Sequence, residues 1–253
     1  ILLAGNIIKG NNFDIETYIE NNSTSFLATV SILSIIVFGI ILYFKQKSSK
    51  NYLDKPFVSF DKVKKEELSE SFILFLGMYG ITMLWVVLIY FLSENNLFFQ
   101  KLLESHNNVM GEITNSESFI LLFVVTAIIV PIIEEMFFRG LIYGRLRQAM
   151  KPIVAIFISS LLFGIFHGNV VQGVYAFFIG FILALVYEKT DALWLSMLGH
   201  ALINTIGIAV PYLKLETLQL TLIIVGVIAL IPSIFILKRW FTTNENILKN
   251  EVL

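Results

Sequence analysis

Four runs of this chain pass without a single charged side chain: Phe26–Phe44, Ser71–Leu92, Val170–Tyr187 and Thr217–Leu237. A helix that crosses a bilayer needs about 20 consecutive apolar residues. In lipid, only helices and closed barrels satisfy every backbone polar group. Runs of this length and uniformity exclude a fold built around one aqueous core and predict membrane helices. Three further runs are less plain. Phe119–Ile133 and Pro152–Phe166 are each about five residues short, unless polar residues continue them as helix. Ala192–Leu213 is long enough but is interrupted by His200 and Asn204. The expectation is an all-α polytopic membrane helix bundle with seven spans. Composition agrees, since 57% hydrophobic against 15% charged residues and a mean hydropathy of +0.80 lie outside the range of soluble domains.

The distribution of lysine and arginine orients the bundle. Lys45, Lys47, Lys50, Lys55, Lys62, Lys64 and Lys65 share one connection, while Arg139, Arg145, Arg147 and Lys151 cluster in another. Lys238 and Arg239 follow the last span. The connection Ser93–Ser118 is acidic, with Glu94, Glu104, Glu112 and Glu117 against Lys101. Basic connections are therefore expected on the cytoplasmic side and the acidic one outside. Residues Ile1–Ser25 then lie outside, and a complete chain with a cytoplasmic N-terminus would carry one more span, eight in all. Tyr52–Phe60, with Pro56, reads as loop. A net charge of -1 gives no reason to expect nucleic acid as a partner. The absence of cysteine removes disulfides, thiolate metal sites and a cysteine nucleophile.

The stretch "PIIEEMFFRG", Pro131–Gly140, sets two adjacent carboxylates and a guanidinium at the end of an uncharged run. If the helix continues through Met150, Glu134 lies roughly 20 Å below its outer end, near mid-membrane. His167 lies roughly 24 Å up the next helix, and His200 roughly 13 Å along the helix beginning near Asp191. Three spans thus bring acid or imidazole to overlapping depths. Within spans, Glu135 and Arg139 are i,i+4 and can pair on one face, as can Phe163 with His167 and His200 with Asn204. Glu134, rotated about 100° from Glu135, is expected to face a different neighbour. Gly140, Gly144, Gly164, Gly168, Gly199 and Gly207 are small residues that would permit close helix approach.

Each residue also has a plainer reading. A pair of glutamates at a span end can be an interfacial cap, and a membrane histidine can simply bond a neighbouring helix. Arg145 and Arg147 serve the topology whatever the protein does, and His106 is expected to be solvated in a polar loop. Ionisable side chains inside spans are costly, however, and default to function. A desolvated carboxyl beside an imidazole can activate water, and an imidazole with an amide can stabilise an oxyanion. The same glutamate and two histidines could instead hold zinc through three protein ligands and one open position. The residues leave both routes open. There is no H-E-x-x-H, no G-x-S-x-G and no aspartate within a span.

"EEMFFR" fits EExxxR, "FGIFH" fits FxxxH and "HALIN" fits HxxxN/D. In this order on successive spans they resemble the CPBP family of CAAX-type prenyl-protein proteases and bacteriocin-processing enzymes, also called Abi. The resemblance covers Phe119–Gly207 and has no departure at a motif position. It implies a bundle of about eight spans around a conical cavity open to cytoplasm and lipid. It also implies that Glu134 with His167 activates water, His200 with Asn204 stabilises the oxyanion, and Glu135 with Arg139 supports the site. The family's metal requirement is an open matter, so a divalent metal such as zinc stays a candidate cofactor.

The expected organisation is an extracytoplasmic segment over 1–25, two generic spans over 26–118, the catalytic core over 119–210, and the last span and tail over 211–253. The expected function is an intramembrane endopeptidase in a cell membrane, cleaving a membrane-associated peptide or protein. An Ile-, Asn- and Lys-rich chain further points to a bacterium, and so to a signalling peptide or bacteriocin, or self-immunity to one. The rivals are a non-catalytic membrane scaffold and a proton-coupled transporter. The latter lacks any repeated half with matching broken helices.

Overall fold

A computed structural model describes residues 23–48, 62–114, 119–213 and 216–243. Most of the expected outer segment 1–25, and the expected loop Tyr52–Phe60, lie outside the described residues. Those described form eight helices: α1 Ser23–Ser48, α2 Lys65–Ser93, α3 Leu97–Thr114, α4 Phe119–Ala149, α5 Pro152–Phe166, α6 Val170–Thr190, α7 Leu193–Tyr212 and α8 Glu216–Thr243. The all-α polytopic expectation holds. Helices α2, α4, α6, α7 and α8 are long and apolar enough to cross a membrane. Thr29–Phe44 within α1, and α5, are apolar but shorter.

The apolar surfaces divide as a bilayer requires. Val37, Ile40 and Phe44 on α1 and Ile228, Ile231 and Phe235 on α8 are exposed in the bundle. Leu74, Phe75, Met78, Leu183, Leu185, Leu193 and Leu195 are buried between helices. Without an aqueous hydrophobic effect to draw helices together, close backbone packing carries the association. Gly80 on α2 meets Gly226 on α8, where an added Cβ would lie 2.4 Å from the Gly226 carbonyl. Gly164 on α5 meets Gly173 on α6, where a Cβ would lie 2.6 Å from the Gly173 carbonyl.

Helix α4 runs unbroken through the acidic pair to Ala149, as expected, but it is not uniformly α-helical. Val125–Ile129 and Met136–Tyr143 have π spacing, one on each side of the α-helical Val130–Glu135. Such departures from α spacing are frequent at functional sites. Helix α5 stops at Phe166, only about 22 Å from its start. Gly168 then takes φ +67°, and the Asn169 side chain caps α6 by accepting from the Gln172 N–H. His167 therefore sits at the C-terminal cap of a short helix rather than within a longer one.

The acidic connection is not the plain loop that was expected. Most of it forms the amphipathic helix α3, which packs on α2 and lies against α6. Ser105 on α3 accepts a hydrogen bond from Asn169 Nδ2 at 3.0 Å. His106 is buried rather than solvated, its ring edge-on to Tyr175 with centroids 6.0 Å apart. Polar residues on one face of α3 conceal an inward face that a count of charges does not register.

Polar clasps tie the helix ends that carry the basic residues. Glu70 on α2 accepts from Trp240 Nε1 at 2.6 Å and pairs with Arg239, which also meets Glu66 at 3.4 Å. Glu188 on α6 accepts from the Tyr143 hydroxyl at 2.5 Å and from Arg147 Nε at 3.1 Å. Arg147 thus has a partner in the bundle beyond the topological role expected for it.

Candidate active site

The candidate site begins with an arginine that has no access to solvent. Arg139 lies one helical turn after Glu135, and both are wholly buried. Its Nη1 donates to Glu135 Oε1 at 2.7 Å, the pairing that their spacing predicted. Its Nη2 donates across to the Gly180 carbonyl on α6 at 2.8 Å. The face of the Phe163 ring on α5 covers the guanidinium, with its central carbon 4.8 Å from the ring centroid. A buried cation is tolerated only when paired and hydrogen-bonded, and an aromatic face adds a cation–π attraction.

Glu135 Oε1 has a second partner, His200 Nδ1 on α7, at 2.9 Å. A carboxylate paired with arginine only accepts, so His200 donates from Nδ1 and turns Nε2 to the other side of the ring. There Nε2 lies 3.5 Å from Glu134 Oε2. Adjacent residues of α4 thus meet opposite edges of one imidazole, where different neighbours were expected. Glu134 retains 14% side-chain exposure, against none for Glu135. Of the two, Glu134 is the acid a substrate or water can reach.

His167 is held differently. Its Nδ1 lies 2.8 Å from the Phe163 carbonyl of its own helix. A carbonyl only accepts, so Nδ1 carries the proton and Nε2 presents its lone pair. The Phe163 ring stands edge-on to both imidazoles, with centroids 4.8 Å from His167 and 5.5 Å from His200. Asn204, one turn beyond His200, donates from Nδ2 to the Thr126 carbonyl on α4 at 3.1 Å. Glu135, Arg139 and His200 therefore form one directly bonded cluster, with Glu134 Oε2 3.5 Å from the far nitrogen of the His200 ring. His167 joins it through Phe163, and Asn204 through the backbone of α4.

Two residues that the sequence reading passed over shape this cluster. A Cβ on Gly180 would lie 2.9 Å from Phe163 Cδ1 and 3.4 Å from Arg139 Nη2. Phe75 on α2 presses where a Cβ of Gly199 would stand, 2.4 Å from its ring and next to His200. The expectation of close approach holds at Gly164 and Gly199 but not at Gly168 or Gly207, around which a Cβ meets nothing within 4 Å. Gly168 is needed for its backbone angle instead. Gly180 carries no motif signature, and only the path of the Arg139 side chain reveals it.

A hydrolytic zinc takes three protein ligands. Glu135 Oε2 is buried without a partner and could serve as one. Among the described residues, however, no three His, Asp or Glu side chains stand together as a ligand set. As placed, these side chains do not fit such a metal. A groove of about 500 Å³ between α5 and α6, lined by Ile165, Gly168, Asn169, Val174 and Phe178 among others, flanks the His167 turn. It borders none of the acidic residues.

One of the comparisons with known proteins falls on the same stretch. Residues 116–206 match the family model described as type II CAAX prenyl endopeptidase Rce1-like. The chain is also 29% identical over 164 residues to a Bacillus subtilis (strain 168) protein named "Putative membrane peptidase YdiL". That match covers 58% of this chain and 66% of the relative. No solved structure matches. The resemblance to the CPBP family read from the three motifs is borne out.

Proposed function

From a motif-bearing segment similar to the type II CAAX prenyl endopeptidases, we propose that this chain is an intramembrane endopeptidase that hydrolyses a membrane-associated peptide or protein. The observation that carries this reading is His200 fixed between Glu135 Oε1 and Glu134 Oε2, with Glu134 the more accessible acid. Glu134, with the Nε2 lone pair of His167, takes a proton from water as its oxygen attacks the scissile carbonyl carbon. The resulting oxyanion is met by Asn204 and by His200 Nε2. Since the Nδ1 proton of His200 is committed to Glu135, Nε2 serves as a donor only when it too is protonated, and Glu134 alongside can share that proton. When the C–N bond breaks, the proton held by Glu134 passes to the leaving amine. Glu135 and Arg139 touch no substrate; they hold the imidazole.

The finer reading is processing of a bacterial signalling peptide or bacteriocin, with the basic helix ends facing the cytoplasm. The test replaces the natural copy with Glu134→Gln, confirms its membrane level, and profiles membrane and secreted peptides by mass spectrometry. A precursor that accumulates as it does in a deletion strain supports catalysis and names the substrate. A wild-type profile, set against a changed deletion strain, would make the protein a scaffold.

A further inference from the structure

At Val125–Ile129 the hydrogen-bond register of α4 slips by one residue, so that the Val130 N–H reaches the Val125 carbonyl. In an α-helix that donor would have served Thr126. In the slipped register the donor to Thr126 would be residue 131, which is Pro131 and has no N–H. The Thr126 hydroxyl offers no relief, since it donates backward to the Leu122 carbonyl at 2.7 Å. The Thr126 carbonyl is thus left without either helical donor, and it is this oxygen that accepts from Asn204 Nδ2 at 3.1 Å.

We propose that Pro131 is a positioning residue: by withholding an N–H it frees the Thr126 carbonyl to anchor Asn204, and so sets the direction of the amide's second N–H. This rests on the reading of Asn204 as an oxyanion donor. A carbonyl accepts only, so the anchor selects the NH₂ end of the amide and turns Oδ1 away from α4. With one N–H fixed on Thr126, the plane of the amide fixes the other. An unanchored asparagine would present oxygen or nitrogen interchangeably, and an oxygen facing a developing oxyanion repels it. Preorganisation of the donor before the charge forms is what makes such a group effective.

The test compares wild type with Pro131→Ala, Asn204→Ala and the double variant, using a fluorogenic peptide that ends in a farnesylated CAAX sequence. Removing an oxyanion donor lowers kcat about 10²- to 10³-fold. Pro131→Ala is expected to lower kcat at least tenfold with KM unchanged, and the double variant to be no slower than Asn204→Ala alone. The thermal midpoint of Pro131→Ala should be unchanged or higher, because proline is the least favourable residue in a helix interior. A wild-type kcat in Pro131→Ala, a loss that adds to that of Asn204→Ala, or a fall in midpoint matching the fall in rate would each overturn the proposal. A readout independent of turnover is the amide I band of ¹³C-carbonyl threonine, with Thr126 identified by its loss in Thr126→Val. Asn204→Ala should move that band to higher wavenumber in wild type and not in Pro131→Ala; no movement in wild type overturns the anchor. A band that behaves as expected in a protein whose cleavage of the peptide equals that of Glu134→Gln would retain the anchor and reject a CAAX-type activity for this chain.

Discussion

Arg139 reaches past its own helix to donate to the Gly180 carbonyl at 2.8 Å, and the absence of a side chain at Gly180 is what admits it. The same space seats the Phe163 ring, which separates the two imidazoles. Gly180→Ala places a methyl 2.9 Å from that ring. Overpacking of this kind costs about 1–3 kcal/mol. The variant should insert and fold with a lower thermal midpoint in detergent, and turn over substrate more slowly at unchanged KM. An unchanged midpoint and rate would mean that Phe163 yields without consequence.

Removing either member of the buried ion pair strands the other. Arg139→Leu leaves Glu135 buried without its cation, which costs about 3–5 kcal/mol. Replacing both partners with apolar residues of similar volume should recover much of the lost stability, measured as the thermal midpoint in detergent. Activity should not return with it, because His200 loses the acceptor that orients its ring. Recovery of both stability and activity in the double variant would remove Glu135 from the mechanism.

Activation of water by Glu134, as proposed, makes a separate prediction. Dialysis against a strong chelator should leave cleavage of the farnesylated peptide unchanged, and added zinc should not raise it. Loss of activity on chelation, restored by zinc and absent in Glu134→Gln, would place an ion against Glu134 instead.

Helix α3 should loosen in acid. Burial holds the His106 imidazole below its ordinary value, so the packed state favours the neutral ring. Its ring meets Tyr175 on α6, and the neighbouring Ser105 bonds Asn169; neither contact brings a charge that would compensate protonation. The undocked helix then binds the proton more readily than the docked one. Docking is at full strength above about pH 6.5, the ordinary histidine value, and weakens as the pH falls below it. Hydrogen exchange across Leu97–Thr114 should accelerate between pH 7.5 and pH 5.5 in wild type, and be flat over that range in His106→Phe. Equal acceleration in both would assign the effect elsewhere.

The helices and the motif-bearing spans were legible because both rest on local rules: apolar length for a span, and i,i+4 spacing for Glu135 with Arg139 and for His167 with its own helix. What escaped depended on departures from regular geometry or on neighbours. Glu134 and Glu135 were assigned to different partners by a uniform 100° step, yet they meet opposite edges of His200, in a helix with π spacing on each side of them. Asn204 could be placed one turn from His200, but its bond to Thr126 depends on a register slip that no composition records. Helix α3 was missed because half of its surface is polar, and His106 was misplaced with it. Pro131 stood in plain view, and its missing N–H was the available signal for an unsatisfied carbonyl upstream.

The Glu135–Arg139 pair also bears on how such a chain enters a bilayer. A charged residue at the centre of an inserting helix costs about 2.5–3.5 kcal/mol on insertion scales. Here Glu135 and Arg139 meet one turn apart on the same helix, so this pair can form before α6 or α7 has been synthesised. The later helices bring Gly180 and His200 to a pair already formed. The order of the helices along the chain thus matches the order in which the site is completed.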